Sequence, residues 1–405
     1  MHPLRFDLHN ELHARPSIYF NEPAHVFHLT LVESDGVLGS IIKRLDPQSA
    51  SQPQGVLKLD GHSAKWERHT EFLSLTLVVP KSAEDASWPE IPDALRSIVK
   101  GNESLIVEAS VILVESESSW SGCPNSYGFK DASGSEVGAG DAVVWSDFRL
   151  TPDGINRILF INRALNAYRL GRMIRRLLEI ETYRTMAALA LPVAKDVTSS
   201  LTSFERELTR LSDQNAKGSG ANTKATLDDI SRLSAQIVRS AARTRQRFSA
   251  TEAYAQIVFE RIGELREKHV PGCQRLGVFI ERRFRPTVRY CYATHQRLER
   301  LNDSVANLSD LLQARVQVEV EEQNAAILKS LNERSATQVK IQKAVEGLSI
   351  IAISYYFLSL CKLVYEGLHG IGVEISPRDT AIYLAPPAFA ILLTIALRIR
   401  RAQRD

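Results

Sequence analysis

The sequence predicts an α+β domain at the N-terminus, followed by long α-helices, a stalk helix and a two-helix transmembrane hairpin. Three observations predict it. Two apolar runs, residues 347–365 and 380–397, are each about as long as a helix needs to cross a bilayer core of roughly 30 Å. From Arg163 onward apolar residues recur at helical spacing, as at Leu170, Ile174, Leu177 and Leu178. Before Arg163, runs of β-branched and aromatic residues are separated by Gly, Pro, Asn and Asp, as strands and turns are.

In residues 1–165 the strand signals fall at 24–32 (AHVFHLTLV), at 63–79 (one long strand or two joined by a bend), at 105–114, and at 142–150 with 155–162, a hairpin around the turn TPDG. Pro80 stops the second of these, because proline cannot donate to a central ladder. Two helices are expected at about 36–45 and 92–100, and the Gly/Ser-rich piece 116–140 reads as loop. A sheet with helices on one or both faces packs such elements.

The helical region 166–286 holds helices up to Pro192, from 193 to 211, and from 225 to about 268, with a flexible connection at 214–224 and a stop at Pro271-Gly272. A stalk helix follows over 287–346, with Pro286 as a possible bend. From 287 to 365 there is no proline and one glycine, Gly347, so a continuous helix there would be on the order of 115 Å long. Leu298, Leu301, Val305, Leu308, Leu312 and Val316 follow spacings of three and four, as in a coiled-coil seam. That seam serves packing on neighbours in the same chain, packing on further copies, or both. The remaining divisions are a first span (347–365), a short external loop (366–379), a second span (380–397) and a basic tail (398–405).

Composition narrows the class. A charged fraction of 24% is that of an ordinary folded chain, and a net charge of +3 gives no reason to expect a nucleic-acid partner. Cys123, Cys273, Cys291 and Cys361 lie far apart with no CxxC pair, which fits a reducing compartment and offers no zinc spacing. The opening residues contain no apolar stretch of the kind a secretory signal needs. Basic residues after Leu397 against Glu366, Glu374 and Asp379 in the loop place the body and both ends on the cytoplasmic side, in a bacterium at the inner membrane.

No catalytic motif is found: GxxxxGK[ST], GxSxG and HExxH are all absent. Seven of the ten histidines precede residue 70. His9 and His13, four apart beside Asp7 and Glu11, are the pair that could share a metal on a helix. His25 and His28, three apart on a strand, should point to opposite faces. The arginines at 172, 175 and 176, at 239, 243, 245 and 247, and at 282, 283 and 285 read as phosphate ligands or as solvated helix faces paired with acids.

In the first span Gly347, Ile351, Ser354, Leu358 and Cys361 form one stripe of small to medium residues, which lets helices approach closely or lines a narrow pore. Lys362 can reach the interface. Pro386-Pro387 should kink the second span. Copies around an axis would turn Glu366 and Glu374 into rings of charge that concentrate a divalent cation, with Ser354, Leu358, Cys361, Tyr365 and Gly367 along its path.

The motifs HPLR (2–5), LHNELHARP (8–16) and ERHTEF (67–72) resemble an uncharacterised family of bacterial proteins described as membrane-anchored, which implies no activity. The layout also resembles the CorA-type magnesium channels, pentamers whose first spans line the pore. Their Gly-Met-Asn motif falls where this chain has Tyr365-Glu366-Gly367. That likeness implies a homo-oligomer in the lipid bilayer that passes or senses a cation. The rival expectation is a membrane-anchored cytoplasmic scaffold or sensor without transport.

Overall fold

Strict alternation builds the centre of a sheet. In β1 (Ala24–Val32) Phe27, Leu29 and Leu31 face one side and Val26, His28 and Thr30 the other, and every residue but Val32 is buried. The computed structural model describes residues 2, 5–10, 17–34, 36–49, 52–82, 87–216 and 223–371, with scattered positions between 376 and 397. Its compact units are Met1–Leu312 and Gln313–Asp405.

The other strands are β2 (Gln54–Leu59), β3 (His62–Arg68), β4 (Phe72–Pro80), β5 (Ile106–Ser116), β6 (Ser133–Val137), β7 (Ala142–Ser146), β8 (Asn156–Asn162) and β9 (Lys268–His269). They form one nine-stranded sheet in the order β2-β3-β4-β1-β5-β8-β7-β6-β9. Only β5 and β8 pair in parallel, so the sheet is mixed. The stretch 63–79 resolves into two strands, β3 and β4. The piece expected as loop contains β6. β2 and β3 are joined at Asp60-Gly61, both at positive φ (47° and 81°), the geometry of a tight hairpin turn that glycine enters freely.

The helices are α1 (Arg5–Asn10), α2 (Val37–Leu45), α3 (Asp93–Val99), α4 (Ala167–Ala188), α5 (Ala190–Ala216), α6 (Thr223–Glu264) and α7 (Leu276–Gly370). Leu38, Ile41 and Ile42 of α2 and Leu95, Ile98 and Val99 of α3 cover one sheet face, against Phe27, Leu29, Leu31, Leu73, Leu75 and Leu77. On the opposite face Ile174, Leu177 and Leu178 of α4 join Val26, Ile112, Ile158 and Phe160, and residues of α6 and the start of α7 close that core. Asn166 caps α4, its Oδ1 accepting from the Arg169 amide at 3.0 Å. A Cβ on Gly171 would lie 2.3 Å from the Ile18 carbonyl oxygen, so the chain before β1 crosses α4 where only glycine fits.

The leucine and valine seam is internal. Leu298, Leu301, Val305, Leu308 and Leu312 are buried with Val197, Leu201 and Leu211 of α5 and Ile230, Leu233 and Ile237 of α6. The expected CorA-like layout with a two-helix hairpin is corrected here. The structure has a nine-stranded mixed sheet and a single long C-terminal helix, and no second apolar helix is defined among the described residues. The physical reason is that nothing between Leu276 and Gly370 except Pro286 interrupts helical hydrogen bonding, so the first apolar run is the end of α7. Most of 380–397 lies outside the described residues.

Two predictions follow the packing. Gly171→Ala should destabilise the body by about 1–3 kcal/mol, because the new methyl meets backbone that cannot move aside, as thermal unfolding will show. Leu301→Ala should cost about 2–5 kcal/mol in denaturant titration while the particle mass in detergent stays the same. A fall in particle mass at unchanged stability would instead show that the seam holds copies together.

Candidate functional site

Across the α4 side of the sheet an apolar face is interrupted by two adjacent polar rows. Cα pairing aligns Lys65, Thr76, His28, Ser110 and Asn156 in one row, on β3, β4, β1, β5 and β8. It aligns Glu67, Ser74, Thr30 and Glu108 in the next. Lys65, His28, Thr30, Ser74, Glu108, Ser110 and Asn156 are all buried. The sequence signal is a polar pair two residues apart in four of the five strands: His28/Thr30, Lys65/Glu67, Ser74/Thr76 and Glu108/Ser110. A period of two puts each pair on one face, and pairing in register makes the pairs a belt.

Helix α4 supplies the partners. His28 Nδ1 lies 2.8 Å from Thr76 Oγ1, and Nε2 lies 2.9 Å from Thr182 Oγ1, which is also 3.2 Å from Thr30 Oγ1. A neutral imidazole has one donor and one acceptor, and hydroxyls can answer either, so His28 is satisfied without charge. Asn156 Nδ2 donates to Glu181 Oε2 at 3.0 Å, and Arg184 Nη2 donates to the same oxygen at 2.6 Å. Thr30 and Ser110 hydroxyls both donate to Glu108.

Although His28 Nε2 stands 3.8 Å from Glu108 Oε2, the two do not form an ion pair. Burial, helped by Lys65 and His69, holds His28 down to about 3. Burial, helped by Glu181 and opposed by hydrogen bonds from Ser110 and Thr30, pushes Glu108 up to about 8. Each charge would lose more hydration than a single imperfect contact returns. Burial likewise lowers the Lys65 ammonium, against the pull of Glu67 at 2.9 Å.

A cavity of about 50 Å³ opens along the belt under α4, bounded by His28, Lys65, Glu67, His69, Thr76, Arg175, Glu179 and Tyr183, with Ser17, Ile18 and Phe20 at its edge. That volume accepts a few waters or a small polar group. Its wall includes the ERHTEF turn: Glu67 pairs with Lys65, and His69 stacks on Phe72 at 4.1 Å. Glu71, in the same turn, accepts from Arg247 and from the Tyr254 hydroxyl, both at 3.1 Å, tying the turn to α6. Arg175 is held by Glu179 at 2.7 Å.

The other expected site residues lie elsewhere. His25 points away from His28, to the Ser87 carbonyl at 3.2 Å, as strand geometry requires. His9 is exposed on α1, and His13 lies outside the described residues. Among the described residues no group of three or more His, Cys, Asp or Glu could hold a metal ion. On α7, Ser354, Cys361 and Tyr365 are half-buried, while Leu358, Glu366 and Gly367 are exposed. Ser354 Oγ donates back to the Ile350 carbonyl at 2.8 Å, and Glu366 sits 3.8 Å from Lys362. Glu374 lies outside the described residues.

The belt sets a pH dependence. Glu108, raised from 4.5 to about 8, makes the folded state hold a proton that the unfolded state releases, so stability falls as pH rises through that interval. His28, lowered from 6.5 to about 3, makes stability rise with pH between those values. The slopes oppose between 4.5 and 6.5 and leave Glu108 alone between 6.5 and 8. Between those last two pH values the melting temperature should therefore fall in the natural chain and change less in Glu108→Gln. Parallel curves for the two would contradict the assignment.

Comparison with curated proteins and with solved structures finds no match to the chain. One family model, described as "Protein of unknown function (DUF3422)", matches residues 1–405. The chain belongs to the DUF3422 family over its whole length.

Proposed function

We propose that this chain is a membrane-anchored sensor. Its folded body, Met1–Leu312, takes a small polar ligand in the cavity over the belt, and the apolar end of α7 holds it to a bilayer. The observation that carries the proposal is the belt itself. Nine polar side chains cross this face in two adjacent rows, between apolar residues such as Val26, Phe72, Val78, Ile112, Ile158 and Phe160. Buried polar and ionisable groups stabilise a fold no better than well-packed apolar ones, so their concentration beside a cavity marks a site of binding.

The anchor rests on α7. Its end is apolar enough and long enough to cross a membrane, and that stretch is not buried against the rest of the chain. Leu348, Ile351, Tyr356 and Leu363 are each about two-thirds exposed or more (67, 68, 72 and 68%). A contiguous apolar surface of this kind is rarely left to water. The run 347–365 spans about 28 Å as a helix, close to the roughly 30 Å of a bilayer core. Lys340 and Lys343 before the run, against Glu366 after it, favour the cytoplasmic side for the body.

Two measurements test the two halves. After an alkaline carbonate wash the full chain should stay with the membrane pellet, and Ile351→Arg with Leu358→Arg should release it. Release of the natural chain would remove the anchor. Native mass spectrometry of the full chain, purified in mild detergent, should show a small co-purifying mass that is lost in Thr76→Val with Lys65→Met. A bare chain, or a mass indifferent to both substitutions, would remove the ligand.

A further inference from the structure

A second cavity, of about 510 Å³, lies where the loop after β7, the end of α4 and the first turns of α7 meet. Its size falls within the range of small-molecule sites, roughly 300–1,000 Å³. Its floor is aromatic: the rings of Phe148 and Phe279 stack at 4.7 Å with an interplanar angle of 11°. Its wall is basic. Lys130, Arg149, Arg184 and Arg283 line it against Asp131 and Asp147, an excess of two positive charges.

The two acids do not neutralise the four bases. Asp131 sits 3.5 Å from Arg149. Asp147 is occupied by the backbone amides of Lys130 and Arg149, each at 3.1 Å. Among the described residues Lys130 and Arg283 have no carboxylate partner, and the Arg283 guanidinium lies over the Phe279 ring at 3.7 Å. Phe148 itself is held at φ +54°, a left-handed conformation that a bulky residue adopts only when its surroundings enforce it. The Ser146 hydroxyl accepts its amide at 3.1 Å, fixing that turn so that the ring meets Phe279. Strain of this kind collects where a ligand is held.

We infer that this cavity binds a mononucleotide, with the phosphate on Lys130 and Arg283 and the base against the Phe148–Phe279 pair, taking the place over Phe279 that the Arg283 guanidinium leaves when it turns to the phosphate. An aromatic floor recognises a flat ring, and unpaired cations around it recognise an anion attached to that ring. The site is separate from the cavity over the belt and stands or falls independently of the sensor reading. Arg184 nevertheless joins the two, because it lines this wall and donates to Glu181, which holds Asn156 in the belt. A phosphate drawn to this wall competes with Glu181 for the same guanidinium.

The test is isothermal titration calorimetry of the full chain in mild detergent with each of the four ribonucleoside monophosphates, and with adenosine and inorganic phosphate as controls. At least one monophosphate should bind saturably, and more tightly than either control. Arg283→Gln and Lys130→Ala should each weaken it about tenfold or more, the loss of one charge-assisted contact. Both are exposed positions, and an unchanged melting temperature will show that the variants remain folded. The inference is overturned if no monophosphate binds, if inorganic phosphate binds as tightly, or if folded Arg283→Gln and Lys130→Ala bind like the natural chain.

Discussion

One neutral imidazole, held between two threonine hydroxyls, joins the sheet to the helix above it. His28 on β1 touches Thr76 on β4 and Thr182 on α4, so three elements meet at one ring. The rest of the site depends on that ring staying uncharged. A protonated His28 would need an anion, and Glu108, the carboxyl beside it, is itself held protonated by burial. Neutrality therefore belongs to the pair. It lets α4 pack on a polar face, because the partners are hydroxyls of neighbouring strands together with the Thr182 hydroxyl and the salt-bridged Glu181 that the helix brings with it.

The belt also explains why the chain around it is arranged as it is. Glu181 and Thr182 are adjacent on α4, one answering Asn156 and the other His28. The ERHTEF turn closes the cavity from β3 and β4, and Glu71 ties that turn to α6 through Arg247 and Tyr254. Gly171 lets the chain before β1 cross α4 at the cavity's edge. These constraints come from distant parts of the sequence, and packing is what joins them.

Much of this was legible beforehand, and the remainder was not for identifiable reasons. β1 is marked by its alternation, and the hairpin of β7 and β8 by the turn between them. β2 carries a weaker pattern and is not among the expected strands, although the Asp60-Gly61 turn that follows it is of hairpin type. β6 reads as loop because of its composition, SGSEV, yet Gly134 is there for a packing reason: a Cβ would lie 2.2 Å from the Trp145 ring opposite it. β9 is two residues long, and its pairing with Ser135 and Glu136 is entirely non-local. The seam from Leu298 to Leu312 was visible as a spacing, but a spacing does not name its partner, which proved to be α5 and α6. The absence of proline from 287 to 365 predicts that the apolar run ends one long helix, as it does in α7, whereas the hairpin expected beyond it is not what the structure has. The polar pairs of the belt stand in the sequence strand by strand, but the sequence reading singles out none of them. Their alignment required the register.

The most direct test of the account is the protonation state of Glu108 at neutral pH. Isotope-edited infrared spectroscopy, comparing the natural chain with Glu108→Gln, isolates its carboxyl stretch. The account predicts a protonated-carboxyl band at pH 7 that gives way to carboxylate bands as pH passes about 8. Carboxylate bands alone at pH 7 would contradict it, because the belt would then carry a buried negative charge beside a neutral His28.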